Sequence, residues 1–191
     1  MAYLSQQALE GMGFRRLGRN VKISDKASIY DCDKIEIGDN SRIDDFCVVS
    51  GRVEIGRFCH ITPMCLVAGG RLGVFLDDFC GLAYGAKVFS QTDDYSGATM
   101  TNSNVPAKYK KETFSRVTMG KHAIVGTGSV VMPGVDIAEG CSVGAMSLVT
   151  KSTEAWGVYF GSPAKKIKNR KKDLLELERQ FLEELYQSDQ F

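Results

Sequence analysis

The sequence predicts an all-β fold, a parallel β-helix of about six triangular coils. Two observations predict it. Residues 119 to 150 divide every six places into MGKHAI, VGTGSV, VMPGVD, IAEGCS and VGAMSL, and each block opens on an aliphatic residue: Met119, Val125, Val131, Ile137, Val143, then Val149. The fifth place is always small or β-branched: Ala123, Ser129, Val135, Cys141 and Ser147. A period of six is too short for a helical repeat and too regular for a loop. Short hexapeptide repeats are the mark of strands stacked in a solenoid.

The same frame runs backward through most of the chain. Openings fall at Leu17, Ile23 and Ile29, then after two extra residues at Ile37, Ile43, Val49, Ile55, Ile61 and Val67. Three extra residues precede Leu76, Leu82 and Val88, and a long break precedes Met119. All eighteen openings are Leu, Ile, Val or Met. Three hexads per coil give coil starts at Leu17, Ile37, Ile55, Leu76, Met119 and Ile137. Successive coils then stack at about 4.8 Å, and the openings form columns inside a prism. An antiparallel sandwich does not predict one sixfold frame across such breaks.

The ends and the largest break depart from the frame. Residues 1–16 form a capping segment, with a short helix over residues 4 to 12 that Ser5 caps and Gly11 and Gly13 stop. The β-helix occupies residues 17–154. Residues 94–118 are an excursion outside the prism after coil 4, polar and long enough to carry function. Residues 155–191 are a basic connection and a C-terminal helix. Leu174, Leu177, Phe181 and Leu185 recur there at helical spacing, an apolar stripe for the last coil or a neighbouring subunit.

Composition narrows the class of function. In 191 residues, 43% hydrophobic and 25% charged, the formal net charge is +1, which gives no general case for nucleic acid or a membrane surface. No apolar run approaches a membrane span of ~20 residues. The amino terminus lacks the basic start and apolar centre of a secretion signal, so the expected location is the cytoplasm. None of the six cysteines forms a CxxC pair. Five of them (Cys47, Cys59, Cys65, Cys80 and Cys141) take the fifth place of a hexad, which reads as inward packing. No metal is expected. A zinc site of the kind that uses three histidines is out of reach for a chain with only His60 and His122.

The hexads and the closing stretch VTKSTEAWGVYFGSPAKKIKNR, residues 149 to 170, resemble the hexapeptide-repeat acyltransferase family, and specifically its galactoside and maltose acetyltransferase branch. The resemblance implies a left-handed coil; the general rule for crossovers would give the right hand. It also implies acetyl-CoA as acyl donor and a homotrimer with active sites between subunits. By that resemblance Gly126, Thr127, Ala145, Thr150 and Lys151 contact pantetheine, and Lys165 and Lys168 meet the nucleotide phosphates. The acceptor is expected to be a sugar or nucleotide-linked sugar, as in enzymes of surface-polysaccharide assembly, taking acetyl on oxygen or nitrogen by direct attack in a ternary complex.

The branch places its catalytic histidine where this chain has Asp93, in VFSQTD. Histidine titrates near neutrality and an unperturbed aspartate near ~3.9, so an aspartate serves as base only in a site that favours its neutral form. His122 sits at an outward-facing turn place of MGKHAI. His60 closes the hexad IGRFCH, one coil before Asp93 and on another corner. The expected catalytic pair is therefore His60 and Asp93 meeting across subunits, with Asp94, Tyr95 and Tyr84 as acceptor contacts. An antibiotic or other small polar acceptor fits the same groups. A non-enzymatic scaffold is the alternative of another class, and the basic GSPAKKIK segment argues against it.

Overall fold

The computed structural model of the chain describes residues 2–187. It is a three-sided parallel solenoid. The first face has six strands, the second eight and the third six. The predicted columns are the observed registers. On the first face Leu17 pairs with Ile37, Ile37 with Ile55, Ile55 with Leu76, Leu76 with Met119, and Met119 with Ile137. The second face stacks Ile23, Ile43, Ile61, Leu82, Val125 and Val143, and the third stacks Ile29, Val49, Val67, Val88, Val131 and Val149. All but Leu17 and Ile29, which lie in the first turn, are buried.

The fifth place of the hexad has a second use besides packing. Cys47, Cys59, Cys65 and Cys80 are buried, and each thiol reaches a carbonyl of the following turn: Thr62 at 3.0 Å, Asp77 at 3.1 Å, Ala83 at 3.3 Å and Gly120 at 3.3 Å. Ser41 and Ser129 do the same with Gly56 and Gly144, at 2.7 and 2.8 Å. A small donor here thus fills the corner and satisfies a carbonyl that would otherwise be desolvated without a partner.

The solenoid runs further than residue 154. After six complete turns, Gly157–Phe160 begins a seventh on the second face, with Tyr159 in register on Val143. The basic stretch expected as a connection is a strand, Lys165–Asn169, antiparallel to Gly157–Phe160. At the other end, α1 (Gln6–Gly11) starts where Ser5 accepts a hydrogen bond from the Ala8 N–H. Leu9 enters the core, and the Leu4 N–H pairs with the Ile23 carbonyl of the first turn. This closes an edge that would invite strand pairing.

The C-terminal helix α2 (Leu174–Gln187) runs back along the solenoid instead of over its last turn. Its seat is the corner between first and second faces, where Phe58, Phe79 and His122 each have φ near +60°. That conformation is costly for side chains with a Cβ, but it stacks the three rings, with centroids 5.0 and 5.1 Å apart. Phe181 packs edge-on against Phe58 at 5.3 Å. Glu178 accepts from Lys121 Nζ and His122 Nε2, at 2.5 and 2.8 Å. Arg170 anchors the approach through the His122 and Gly140 carbonyls. The expected apolar stripe is only partly used. Leu174 and Leu185 are half-buried, whereas Leu177 stays 62% exposed because Glu178 and Leu182, not Leu177, turn inward.

Burial works against ionisation of Glu178, but hydrogen bonds from Lys121 and His122 outweigh it and hold its carboxyl below the usual range. A depressed folded value contributes stability above the unfolded value and loses it as pH falls. We therefore expect α2 to loosen as pH drops below ~4. Hydrogen exchange of the α2 amides should show this. Glu178→Gln should exchange faster near neutrality and remove the acid dependence.

Candidate active site

The second corner, between second and third faces, carries three of the five residues expected to contact pantetheine. Thr127 and Ala145 are exposed there in successive turns, and the Met146 N–H donates to the Thr127 carbonyl at 2.8 Å. Tyr84 lies one turn below, its carbonyl accepting from the Gly128 N–H at 2.9 Å, with its side chain 61% exposed. Gly126 belongs to the same corner, but its smallness answers to the next turn: a Cβ would lie 2.6 Å from the Ala145 nitrogen. Thr150 and Lys151 are exposed at the opposite end of the third face, just beyond the short strand Leu148–Val149. The expected pantetheine residues therefore flank one face.

Lys165 and Lys168, the lysines expected to meet phosphates, are exposed on Lys165–Asn169 and make no ion pair among the described residues, whereas Lys166 is held by Glu154 at 2.7 Å. Lys165 is opposite Phe160, where the strand nears the second corner. Lys168 is opposite Val158, roughly 10 Å further along at ~3.3 Å per residue. Lys165 thus crowns the edge formed by Tyr84, Thr127 and Ala145, and Lys168 is set back on the second face.

Asp93 does not close a hexad on the wall. The chain leaves the third face after Phe89, and Gln91–Thr92 pairs antiparallel with Thr113–Phe114, so Asp93 stands at the outer end of a hairpin. The excursion therefore starts three residues before the expected position. Asp94 is committed to shaping the loop: its carboxylate accepts from the Ser96 N–H at 2.9 Å and the Thr99 hydroxyl at 3.0 Å. Ser96, first, and then Thr99 hold it below the usual carboxylate range. The Asp93 carboxylate has no such partner among the described residues, and Tyr95 is 88% exposed.

His60 is on the second face, between Arg42 below and Gly81 above. Its Nε2 lies 2.8 Å from Asp44 Oδ2, while its side chain stays 46% exposed. Asp44 is almost fully buried and is gripped by Arg42 through Nε at 2.5 Å and Nη2 at 3.1 Å. Burial raises the cost of its charge, yet Arg42 and then His60 hold it below the usual range. The result is an oriented imidazole backed by a carboxylate, an element the sequence reading missed. Its only signal was an acid after Ile43 one turn below His60. Within one chain no hydrogen bond or ion pair joins His60 to Asp93. His122 is 8% exposed and closed in by Phe79 and Glu178, which removes it from acceptor chemistry.

Among the described residues, no three His, Cys, Asp or Glu side chains gather as a metal site would require. No helix there is long and apolar enough to cross a membrane.

The comparisons with known proteins agree with this architecture. Residues 34–69 match the family described as bacterial transferase hexapeptide (six repeats). The dTDP-4-amino-4,6-dideoxy-D-glucose acyltransferase of Escherichia coli is 45% identical over 184 residues, 95% of each chain. The crystal structure of the N-acyltransferase AntD from Bacillus cereus, in complex with dTDP and 3-hydroxybutyryl-CoA, superposes with a TM-score of 0.95. It is 42% identical and covers 96% of this chain and 98% of its own. A maltose O-acetyltransferase from Clostridium difficile, at 19% identity and a TM-score of 0.58 over 87% of this chain and 75% of its own, shares the fold. Its period, its stacked registers and a relative matched over nearly its whole length place this chain in the hexapeptide-repeat acyltransferase family.

Proposed function

We propose that the protein transfers an acyl group from coenzyme A to the amino group of a dTDP-linked amino sugar, in the cytoplasm. One observation carries the reading: the match to an amino-sugar acyltransferase extends over 95% of the chain, excursion included. An amine acceptor also removes the conflict posed by Asp93. A neutral amine attacks a thioester with less help than a hydroxyl, and a carboxylate can orient it and accept its proton. The acyl thioester, when bound, supplies the electrophilic carbonyl.

The chain's own groups divide the rest. The edge of Tyr84, Thr127 and Ala145, with Thr150 and Lys151 across the third face, holds the pantetheine arm. Lys165, and Lys168 behind it, meet its phosphates as mobile point charges. Asp93 faces the attacking nitrogen, with Asp94 fixing its loop and Tyr95 offering an aromatic face to the sugar. His60, held by Asp44, completes the site from a neighbouring subunit. Orientation of the two substrates supplies much of the rate.

The unequal faces support a trimer. The first face turns Arg16, Glu36, Glu54 and Asp136 outward, with Phe75 and Thr118 between Glu54 and Asp136. The third turns Val48, Leu66, Val130 and Leu148, each half-buried, outward in one row that Lys87 interrupts between Leu66 and Val130. The adjoining corner adds Phe46, Met64 and Met146, all more than half exposed. An apolar band of this kind on a soluble chain marks a contact surface. Cyclic closure of three copies would cover it and bring the excursion to a neighbour.

Thiol release from acetyl-CoA should be saturable with dTDP-4-amino-4,6-dideoxyglucose and negligible with free sugars or chloramphenicol. Absence of turnover with every nucleotide amino sugar would sink the reading. Asp93→Asn should lower kcat by about 10²-fold, the lower end for a lost acid–base group. His60→Ala should also lower kcat, and near-wild-type turnover in both would remove the assignment. Leu66→Lys should shift the mass measured by light scattering from three chains towards one.

A further inference from the structure

The breaks in the sixfold frame share one location. The two-residue insertion follows Ile29, the three-residue insertion follows Val67 and the long excursion follows Val88. All three openings belong to the third face, so all three breaks leave the solenoid at the third corner, between third and first faces. The coil has two other corners, and neither carries an insertion. Turns without extra residues at this corner, such as those after Val49 and Val131, show that the fold does not require any.

The three breaks line a single cleft of about 840 Å³. The first insertion contributes Asp31, Asp33 and Lys34, the second Gly70 and Arg71, and the excursion Gln91 and Phe114. The second and third meet directly: the Arg71 guanidinium lies over the Phe114 ring, 3.8 Å from its centroid. Arg15 and Arg52 complete a lining with four cationic side chains against two carboxylates. Most of these charges are satisfied. Lys34 pairs with Asp31 at 3.0 Å, Arg15 with Glu36 at 3.2 Å, and Arg52 with Glu54 at 3.1 Å. Arg71 has no acidic partner among the described residues; only the ring holds it. A guanidinium stacked on an aromatic face keeps its in-plane N–H fork free, the geometry suited to phosphate oxygens.

From this we infer that the third-corner cleft binds the diphosphate of the nucleotide-linked acceptor, with Arg71, positioned by Phe114, as the principal phosphate contact. The inference rests on the proposed acceptor and adds where its nucleotide end is held. Gln91 lines the cleft two residues before Asp93, so a ligand anchored at Arg71 extends its sugar along the hairpin towards the carboxylate. The cleft occupies the lower turns, and the coenzyme edge, with Thr127 and Ala145, the upper ones. The two substrates then approach the excursion from opposite ends.

Calorimetric titration with dTDP, thymidine and coenzyme A tests this. Arg71→Ala should bind dTDP at least about tenfold more weakly than wild type, the loss of one charge-assisted contact. Thymidine, which lacks the diphosphate, and coenzyme A should bind as before; the latter also reports an intact fold. Arg71→Lys should recover only part of the loss, because an ammonium lacks the fork. Phe114→Leu should weaken dTDP with coenzyme A unchanged. Wild-type turnover of the nucleotide amino sugar with an unchanged dTDP affinity in Arg71→Ala overturns the cleft alone. Failure of wild type to bind dTDP or to turn over any nucleotide amino sugar overturns the acceptor reading and the cleft with it.

Discussion

Every turn of the solenoid is fixed by the turn beneath it. Strand N–H and C=O groups of the coils bond to the turns above and below, and the aliphatic openings must land in the same three columns each time. A strand two or three residues long has no stability of its own. One residue inserted in a strand would turn the aliphatic column outward and leave the ladder unpaired. Extra residues are therefore confined to corners, and the register resumes intact after them: Leu76 sits on Ile55 despite three extra residues, and Met119 on Leu76 despite 25. The core constrains where variation can go.

The same constraint explains the outer surface. Inward places are filled by necessity, so the three outward rows are free to differ. The first face became charged, with ladders such as Arg16–Glu36. The second carries the Arg42–Asp44–His60 cluster, and the third stayed mostly apolar, broken by Lys87. α2 uses a different freedom. By running back along the corner of Phe58, Phe79 and His122, it buries a ring stack that would otherwise be exposed at a strained backbone. His122 is thereby spent on structure, and His60 is left as the accessible imidazole.

Placed on this scaffold, the substrates need little from the protein beyond position. An amine and a thioester react once held in line. In the proposed reaction, the edge near Thr127 and Ala145, the Asp93 hairpin and the third-corner cleft divide that work among elements of different rigidity. The coil edge is braced by hydrogen bonds on both sides. The hairpin is held by two residue pairs, Gln91–Phe114 and Thr92–Thr113, and by the Asp94 turn.

The sequence by itself determined the coil. The sixfold frame predicted each opening, each register and the burial of five cysteines, because a period and a column are the same statement in one and three dimensions. It also marked the closing basic segment and the excursion. It did not reveal that the segment pairs as a strand, that α2 turns back, or that Leu177 faces away, since these depend on which surface each piece meets. Nor did it show that Asp44 orients His60, that Asp94 is occupied by its own loop, or that Arg71 lies on Phe114 across 43 residues. Those pairings are set by which corner each residue leaves from, and only the stacked turns bring such corners together.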